Sequence, residues 1–192
     1  MDKTLKFDPD KVAYYEKAGW EAYYARRWGR VFGLMVALNR EEFHMPPFAA
    51  LAASIDIVRA SIAFAPLENN DVPKATEYLR RYYEKARYRA GIETDAKTLA
   101  GLEMDYWVVH RKLALERKLN PALDNTGPMA DSLERLHRAL FTAPPAAIRR
   151  SAEQRALAAV AVDRITGGYS KDVASDWREV EAQLRQAYGA VR

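Results

Sequence analysis

Apolar residues recur every three or four positions along most of the chain, which is the pattern of amphipathic helices. No stretch keeps the strict alternation of a half-buried strand. The most informative pattern runs from Asp95 to Leu119, with an apolar side formed by Leu99, Leu102, Tyr106, Trp107, Val109, Leu113 and Ala114. We therefore predict an all-α fold, a single-domain bundle of six to eight helices over residues 1–192.

Capping residues and helix breakers predict where the first helices begin and end. Asp8-Pro9 is a helix start, and the helix that follows either continues past Gly19 or divides near Gly29. The next segment, 47–65, is apolar almost all round, which is typical of a helix at the centre of its bundle. Within it, Asp56 and Arg59 have the i, i+3 spacing of an intrahelical ion pair.

Five more helices are predicted after residue 70. One opens at Asp71 and Pro73 and closes at Gly91, and the helix from Asp95 follows it. A shorter helix is expected over 129–142 and an alanine-rich one over 146–166. Ser175 is the predicted cap of the last helix.

Two titratable residues, Glu103 and His110, fall inside the apolar side of the 95–119 helix. An unpaired buried charge costs several kcal/mol, so each residue needs a partner from another helix or a function. Because they lie about 10 Å apart along the helix axis, they cannot contact each other. We expect a buried polar pocket, formed by these two residues and by charged residues of other apolar helices, with aromatic side chains as its walls. Asp163 is a further candidate for the pocket. Its predicted residues are Glu103, His110, Asp56, Arg59, Tyr106 and Trp107.

A ferritin-like di-metal site is the first alternative. Glu41 precedes His44 by three residues and Glu134 precedes His137 by three, the spacing that places both side chains on one side of a helix. Such sites bind di-iron or di-manganese with further single glutamates, here Glu103 with Glu16 or Glu21. His44 lies only two residues before a double proline, an awkward place for a ligand.

Nucleic-acid binding is the second alternative. Arginine alternates with aromatic residues over 23–30 and 78–83, and such a surface can stack on bases and contact phosphates. The net charge of +4 and the pI near 9.2 are only mildly basic, and neither segment matches a known nucleic-acid module. We therefore do not favour a nucleic-acid partner.

The chain has no cysteine, which excludes disulfides, thiolate metal sites and a cysteine nucleophile. A reducing cytoplasm is the expected location, and the first eleven residues contain no apolar core of a secretory signal. Asp56 and Arg59 interrupt the most apolar stretch, 46–66, so we predict no membrane span.

Four segments, AGWEAYYARRW, ATEYLRRYYEKAR, LEMDYWVVHRKLA and DRITGGYSKDVASDW, together resemble a family of uncharacterised small bacterial all-helical proteins. The resemblance implies a cytosolic helical domain and assigns no site residue. We predict a binding or accessory protein without a cofactor, in which Arg59 anchors a small, anionic ligand. Self-association through aromatic or alanine-rich faces is also expected, and the sequence favours no enzymatic reaction.

Overall fold

The computed structural model describes residues 5–192. Residues 1–4, which belong to the predicted domain and to the segment searched for a secretory signal, lie outside the described residues. The described residues form eight helices and no strand, which confirms the predicted all-α class and the helix number. The helices are α1 (Pro9–Tyr24), α2 (Trp28–Glu42), α3 (Pro47–Phe64), α4 (Val72–Ala90), α5 (Ala96–Leu119), α6 (Thr126–Leu140), α7 (Pro145–Thr166) and α8 (Val173–Val191).

The eight helices pack as a closed ring. Each helix contacts its neighbours in the chain, and α8 packs back against α1. Short connections make consecutive helices antiparallel, so odd-numbered helices run one way and even-numbered helices the other. Helices α5 and α7 also contact each other behind α6, where Leu133, Ala152 and Ala156 form a separate small core. Side chains that point inward from non-adjacent helices can therefore meet inside the ring.

Local capping sets several helix ends as expected. The Asp8 carboxylate accepts hydrogen bonds from the backbone N–H groups of Asp10 and Lys11, with Pro9 in the first turn of α1. Asp95 caps α5 in the same way. Helix α4 ends at Gly91, whose φ of 68° is the left-handed conformation that glycine adopts without strain.

Three boundaries differ in detail from the expectations. The first predicted helix divides at residues 25–27, one turn before Gly29, where Arg26 has a φ of 55°. Helix α6 begins at Thr126, three residues earlier than predicted. The cap of α8 is Asp172, whose carboxylate accepts from the N–H of Ser175, so Ser175 lies within the helix. The Asp172 carboxylate lies three residues before that N–H, the usual capping geometry.

The prediction that the 47–65 helix is central is wrong. Only a third of α3 is buried, and it packs against α2 and α4 on one side. The predicted Asp56–Arg59 pair is wrong as well. The Asp56 carboxylate is buried against α4, where it bonds the Lys85 Nζ at 2.6 Å and lies 3.6 Å from Arg81, whereas Arg59 is exposed. Two cations on the adjacent helix satisfy Asp56 better than one on its own helix.

By length and composition alone, α3 is the one described helix that could cross a membrane. Its packing against α2 and α4 and its buried, paired Asp56 are consistent with a helix of a soluble protein.

Candidate functional site

Three glutamates and one arginine meet inside the ring, and we call Glu16, Glu42, Glu103 and Arg155 the carboxylate cluster. They come from α1, α2, α5 and α7, and the three glutamates are at most 8% exposed. The Arg155 Nη2 donates to the Glu16 Oε1 at 2.6 Å, and the Tyr188 hydroxyl donates to the other Glu16 oxygen at 2.5 Å. The single cation of the cluster is therefore directly paired with one of its three carboxylates.

Glu103 is buried as predicted, and its partners are neutral. The Tyr83 hydroxyl donates to its Oε2 at 3.0 Å, and the Trp107 indole N–H donates to its Oε1 at 2.7 Å. Tyr83 belongs to α4, so the expected partner from another helix is present. Among the described residues, no side-chain cation is in ion-pair contact with Glu103.

Glu42 is the least satisfied member. Burial raises the pKa of its carboxyl to about 8, the carboxylates of Glu16 and Glu103 add to the increase, and the Arg155 guanidinium opposes it. No hydrogen bond to the Glu42 carboxyl is present within residues 5–192. Because its pKa lies above 7, this carboxyl is mainly protonated at neutral pH.

Aromatic rings surround the cluster. The Arg155 guanidinium lies 5.4 Å from the centre of the Tyr106 ring, and Tyr82 and Tyr83 contact each other edge to face with ring centres 5.0 Å apart. Burial raises the pKa values of both tyrosines well above 10; the Glu103 carboxylate adds to the effect on both, and the Glu42 carboxylate adds to the effect on Tyr82. Rings placed this way can face a cation with their electron-rich surfaces.

A second charged group lies further along the helix axes, inside the same ring. We call it the Asp163 cluster, and it consists of Asp163, His110, Arg117 and Asn125. The His110 Nε2 is 2.9 Å from one Asp163 oxygen, Arg117 forms an ion pair with the other, and Arg117 also donates to Asn125. His110 is half-buried, with its ring stacked on Tyr106 at 5.8 Å. The Asp163 carboxylate thus has one full ion pair and a second hydrogen-bonding partner.

The two clusters form successive layers. On α5, Glu103 and His110 are two turns apart, and on α7 so are Arg155 and Asp163. Each of these intervals corresponds to about 10–12 Å along the helix axes. Tyr106, stacked on His110 and facing Arg155, lies between the layers.

Tyr24, at the end of α1, lies next to the Asp163 cluster. Burial raises the pKa of its hydroxyl, and the Asp163 carboxylate adds to this while Arg111 opposes it. Its side chain is nevertheless 45% exposed. Tyr24 is therefore a point at which the Asp163 end of the helix ring meets solvent.

Solvent also reaches part of the carboxylate cluster, because 14% of the Arg155 side chain is accessible. Two surface depressions lie elsewhere: one joins the α4–α5 connection to the end of α6, and the other lies beside Arg27, Arg30 and Trp177. Neither contains a residue of the carboxylate cluster. Tyr24, which is partly exposed beside the Asp163 cluster, lines neither depression.

The predicted pocket residues divide into two groups. Glu103, His110, Tyr106 and Trp107 lie together on the inner side of α5. Asp56 and Arg59 do not join them, because Asp56 is bonded to α4 and Arg59 is exposed 6.0 Å from the Tyr78 ring centre. The expected anchor for an anion thus lies outside the site.

The residues of the di-metal alternative are dispersed. His44 is exposed beyond the end of α2, and Glu41 accepts a hydrogen bond from the Asp8 backbone. Glu134 pairs with Arg138 and Arg149, while His137 is buried with its ring edge against Phe141. Glu103 lies in the carboxylate cluster, and residues 5–192 contain no group of three acidic or histidine ligands able to hold a metal. Glu41 and Glu134 thus each pair with groups other than the histidine three residues after them.

The two basic and aromatic segments differ, because residues 24–30 are exposed to solvent whereas the 78–83 segment serves packing. Arg80 pairs with Glu77 and Glu84 on its own helix, while Tyr82 and Tyr83 are buried and bond to Asn39 and Glu103. The 78–83 segment therefore offers no continuous cationic and aromatic surface, and it gives no support to nucleic-acid binding.

Sequence reasoning missed Glu42 and Arg155 and named Glu16 only as a metal ligand. Their signal was present. Arg155 occupies the same 4-3-4-3 apolar stripe as Ile148, Ala152 and Ala159, and Glu42 continues the spacing of the α2 stripe. Asking which charged residues interrupt the apolar side of each helix, as was done for α5, would have found them.

In comparisons of this chain with family models, with curated proteins and with solved structures, nothing matches. The functional argument therefore rests on the geometry of the two clusters.

Proposed function

We propose that the protein binds a small organic cation inside the helix ring, with the carboxylates of Glu42 and Glu103 as its charged contacts. The carrying observation is the imbalance of the carboxylate cluster: three buried carboxyl groups accompany one guanidinium, which is paired with Glu16. A buried carboxylate without a cation is costly, so a positive charge is the partner that this site lacks.

The surroundings favour an organic cation over a hydrated metal ion. Tyr82, Tyr83, Tyr106 and Trp107 supply the aromatic faces that attract ammonium groups. The Nε–H of Arg155 is buried without a hydrogen-bond partner, so it offers one donor to a hydroxyl next to the ammonium group. We propose that a ligand enters beside Tyr24, the partly exposed side chain next to the Asp163 cluster. An anionic ligand, expected from Arg59, is no longer favoured.

Binding should release a proton. The charged groups that face Glu42 are Glu16 from α1, Glu103 from α5 and Arg155 from α7, and the hydroxyls of Tyr82 and Tyr188 lie close by. At pH 7 the Glu42 carboxyl is mainly protonated, and an arriving cation favours its ionised form. Affinity is therefore expected to increase up to about tenfold per pH unit below the Glu42 pKa of about 8 and to level off above it.

The test uses quaternary ammonium ions, which carry their charge at every pH. Tetramethylammonium and choline are titrated by calorimetry, with the neutral isostere of choline, 3,3-dimethylbutanol, and acetate as comparison compounds. At a ligand concentration 100-fold above its Kd, the Tm should increase by roughly 5–10 °C. Choline should bind more tightly than tetramethylammonium, and the heats in buffers of different ionisation enthalpy should reveal nearly one proton released.

Two variants locate the binding. Glu103→Gln keeps the size of the side chain and one of its two acceptor oxygens, and it should reduce affinity for choline at least tenfold. Glu84→Gln, an exposed position on α4, is the matched control and should leave affinity unchanged. The proposal fails if no cation binds, or if acetate binds and choline does not. The absence of cysteine and the packing of α3 lead us to place this binding protein in the cytoplasm.

A further inference from the structure

The outer side of α3 carries a continuous apolar stripe. Phe48 is 87% exposed, Ile62 52%, Leu51 42% and Ile55 40%, and Val58 between them is half-buried. Steps between these five positions are three, four, three and four residues. This 3-4 repeat covers two heptads. It is the spacing of the a and d positions that meet in a coiled-coil seam.

The fold itself does not use this stripe. Helix α3 already buries its opposite side, with the side chains of Ala50, Ala53, Ala60 and Phe64. Its one acidic residue, Asp56, turns toward α4 and bonds Lys85. The stripe is therefore bordered by small side chains and by a single charged residue, Arg59. Small neighbours allow another helix to approach closely.

We propose that the α3 stripe is a homodimer interface, in which α3 of one copy packs antiparallel against α3 of a second copy about a two-fold axis near Ile55. The 3-4 spacing fits a helix as the occupant, and a two-fold axis makes one surface complementary to itself. The two Phe48 side chains then lie at opposite ends, each near Ile62 of the other copy.

The area agrees with this occupant. The four exposed side chains and the half-buried Val58 together offer roughly 400 Å² of apolar surface per copy. A stable interface buries about 800 Å² per partner, a little more than half of it apolar. Arg59 and Arg81, both within about 6 Å of the Tyr78 ring centre, supply polar surface at the edge. The stripe thus provides nearly all the apolar area that a dimer needs.

Charge selects the antiparallel orientation. In a parallel pair the two Arg59 guanidinium groups would lie side by side across the seam. Around an axis near Ile55, they are separated by about 12 Å along the helices, beyond the screening length in physiological salt. Like-charge repulsion is therefore small in one orientation and substantial in the other.

A lipid surface is the competing occupant, because α3 is apolar over the length of a membrane span. The seam is narrower than the broad apolar face of a membrane-surface helix, and only one basic residue borders it. We therefore favour the second copy and use vesicle binding as the opposing outcome.

The first experiment measures the mass of the full chain by sedimentation velocity from nanomolar to high micromolar concentration. The wild type should sediment at twice 21.8 kDa, and Ile55→Glu at 21.8 kDa. Ile62→Glu is a second disruptive variant, and Leu157→Glu, at an exposed apolar position of α7, is the control that should stay dimeric. Circular dichroism verifies that each variant is folded. A monomeric wild type, or an Ile55→Glu dimer, overturns the proposal.

The second experiment uses the absence of native cysteine. Under mild oxidation, Ile55→Cys should form a covalent dimer, because the axis brings the two residues within disulfide reach. Phe48→Cys should not, since its copies are about 21 Å apart in the antiparallel dimer. Equal cross-linking of both overturns the orientation. Wild-type flotation with anionic vesicles that Ile55→Glu abolishes, together with a monomeric protein in solution, overturns the dimer in favour of a lipid surface.

Discussion

The carboxylate cluster and the Asp163 cluster are built on the same helices and differ in their balance of charge. In the Asp163 cluster, one carboxylate has Arg117 and His110 as partners. In the carboxylate cluster, three carboxyl groups accompany only Arg155. Because a paired charge satisfies itself, the first cluster is suited to joining α5, α6 and α7. The carboxylate cluster has more carboxyl groups than cations, and in the proposed function a cationic ligand pairs with them.

Protonation is how the unbalanced layer exists without a ligand. Glu42, which lacks a partner in the described structure, retains its proton up to a pKa of about 8. Glu103 is stabilised by two neutral donors. A buried charge that is neither paired nor neutralised costs several kcal/mol. A protonated Glu42 therefore has a lower free energy than an ionised one in this cluster. The following changes test this difference, from the largest expected effect to the smallest.

Removing the single cation of the unbalanced layer should have the largest effect. Arg155→Met leaves Glu16 buried with only Tyr188 as a donor, and we expect the free energy of unfolding to decrease by about 5 kcal/mol. Urea denaturation at pH 7 measures this. Arg149→Met, which breaks exposed ion pairs on the same helix, should cost less than about 1 kcal/mol. Equal losses for both would mean that the interior position of Arg155 is not important.

The pH dependence of stability should separate the layers next. In the unfolded chain Glu42 loses its proton near pH 4.5, whereas in the folded protein it keeps it until about pH 8. The folded state thus binds more protons between these values, and stability should decrease as pH increases through this window, by roughly 5 kcal/mol in total.

Glu42→Gln should remove that decrease, because the amide does not titrate. Urea midpoints measured from pH 5 to pH 8.5 for both proteins give the comparison, and Glu41→Gln, the half-buried neighbour, is the control. A wild-type curve that rises over this range would contradict the assignment of Glu42 as the protonated member.

Much of the fold could be predicted from the sequence, since caps such as Asp8 and Asp95 and breakers such as Pro46-Pro47 act locally. Burial of Glu103 followed from the α5 stripe. The position of α3 could not be predicted in the same way, because an apolar helix reads alike whether it is covered by its own chain or by another molecule. The partners of the buried charges could not be predicted from the sequence either. Asp56 pairs with Lys85 of α4 and not with Arg59, because the packing of the two helices decides which cation is within reach.

The paired layer should respond to removal of its carboxylate with a loss independent of any ligand. Asp163→Asn leaves Arg117 buried with Asn125 as its main acceptor, and we expect a cost of about 3 kcal/mol. Affinity for choline should change less than threefold, because the carboxylate cluster is intact. Denaturation and calorimetry on the same preparation provide both values. Loss of choline binding with stability unchanged would reverse the roles that we give to the two layers.

The smallest effect is expected at His110. His110→Phe keeps an aromatic ring to stack on Tyr106 but removes the 2.9 Å hydrogen bond to Asp163, whose ion pair with Arg117 remains. A hydrogen bond at a half-buried position contributes about 1 kcal/mol, so the loss should be of that size. Measuring the variant alone and together with Asp163→Asn gives the coupling energy of the pair. A cost near that of Asp163→Asn would show that His110, and not Arg117, is the main partner of this carboxylate.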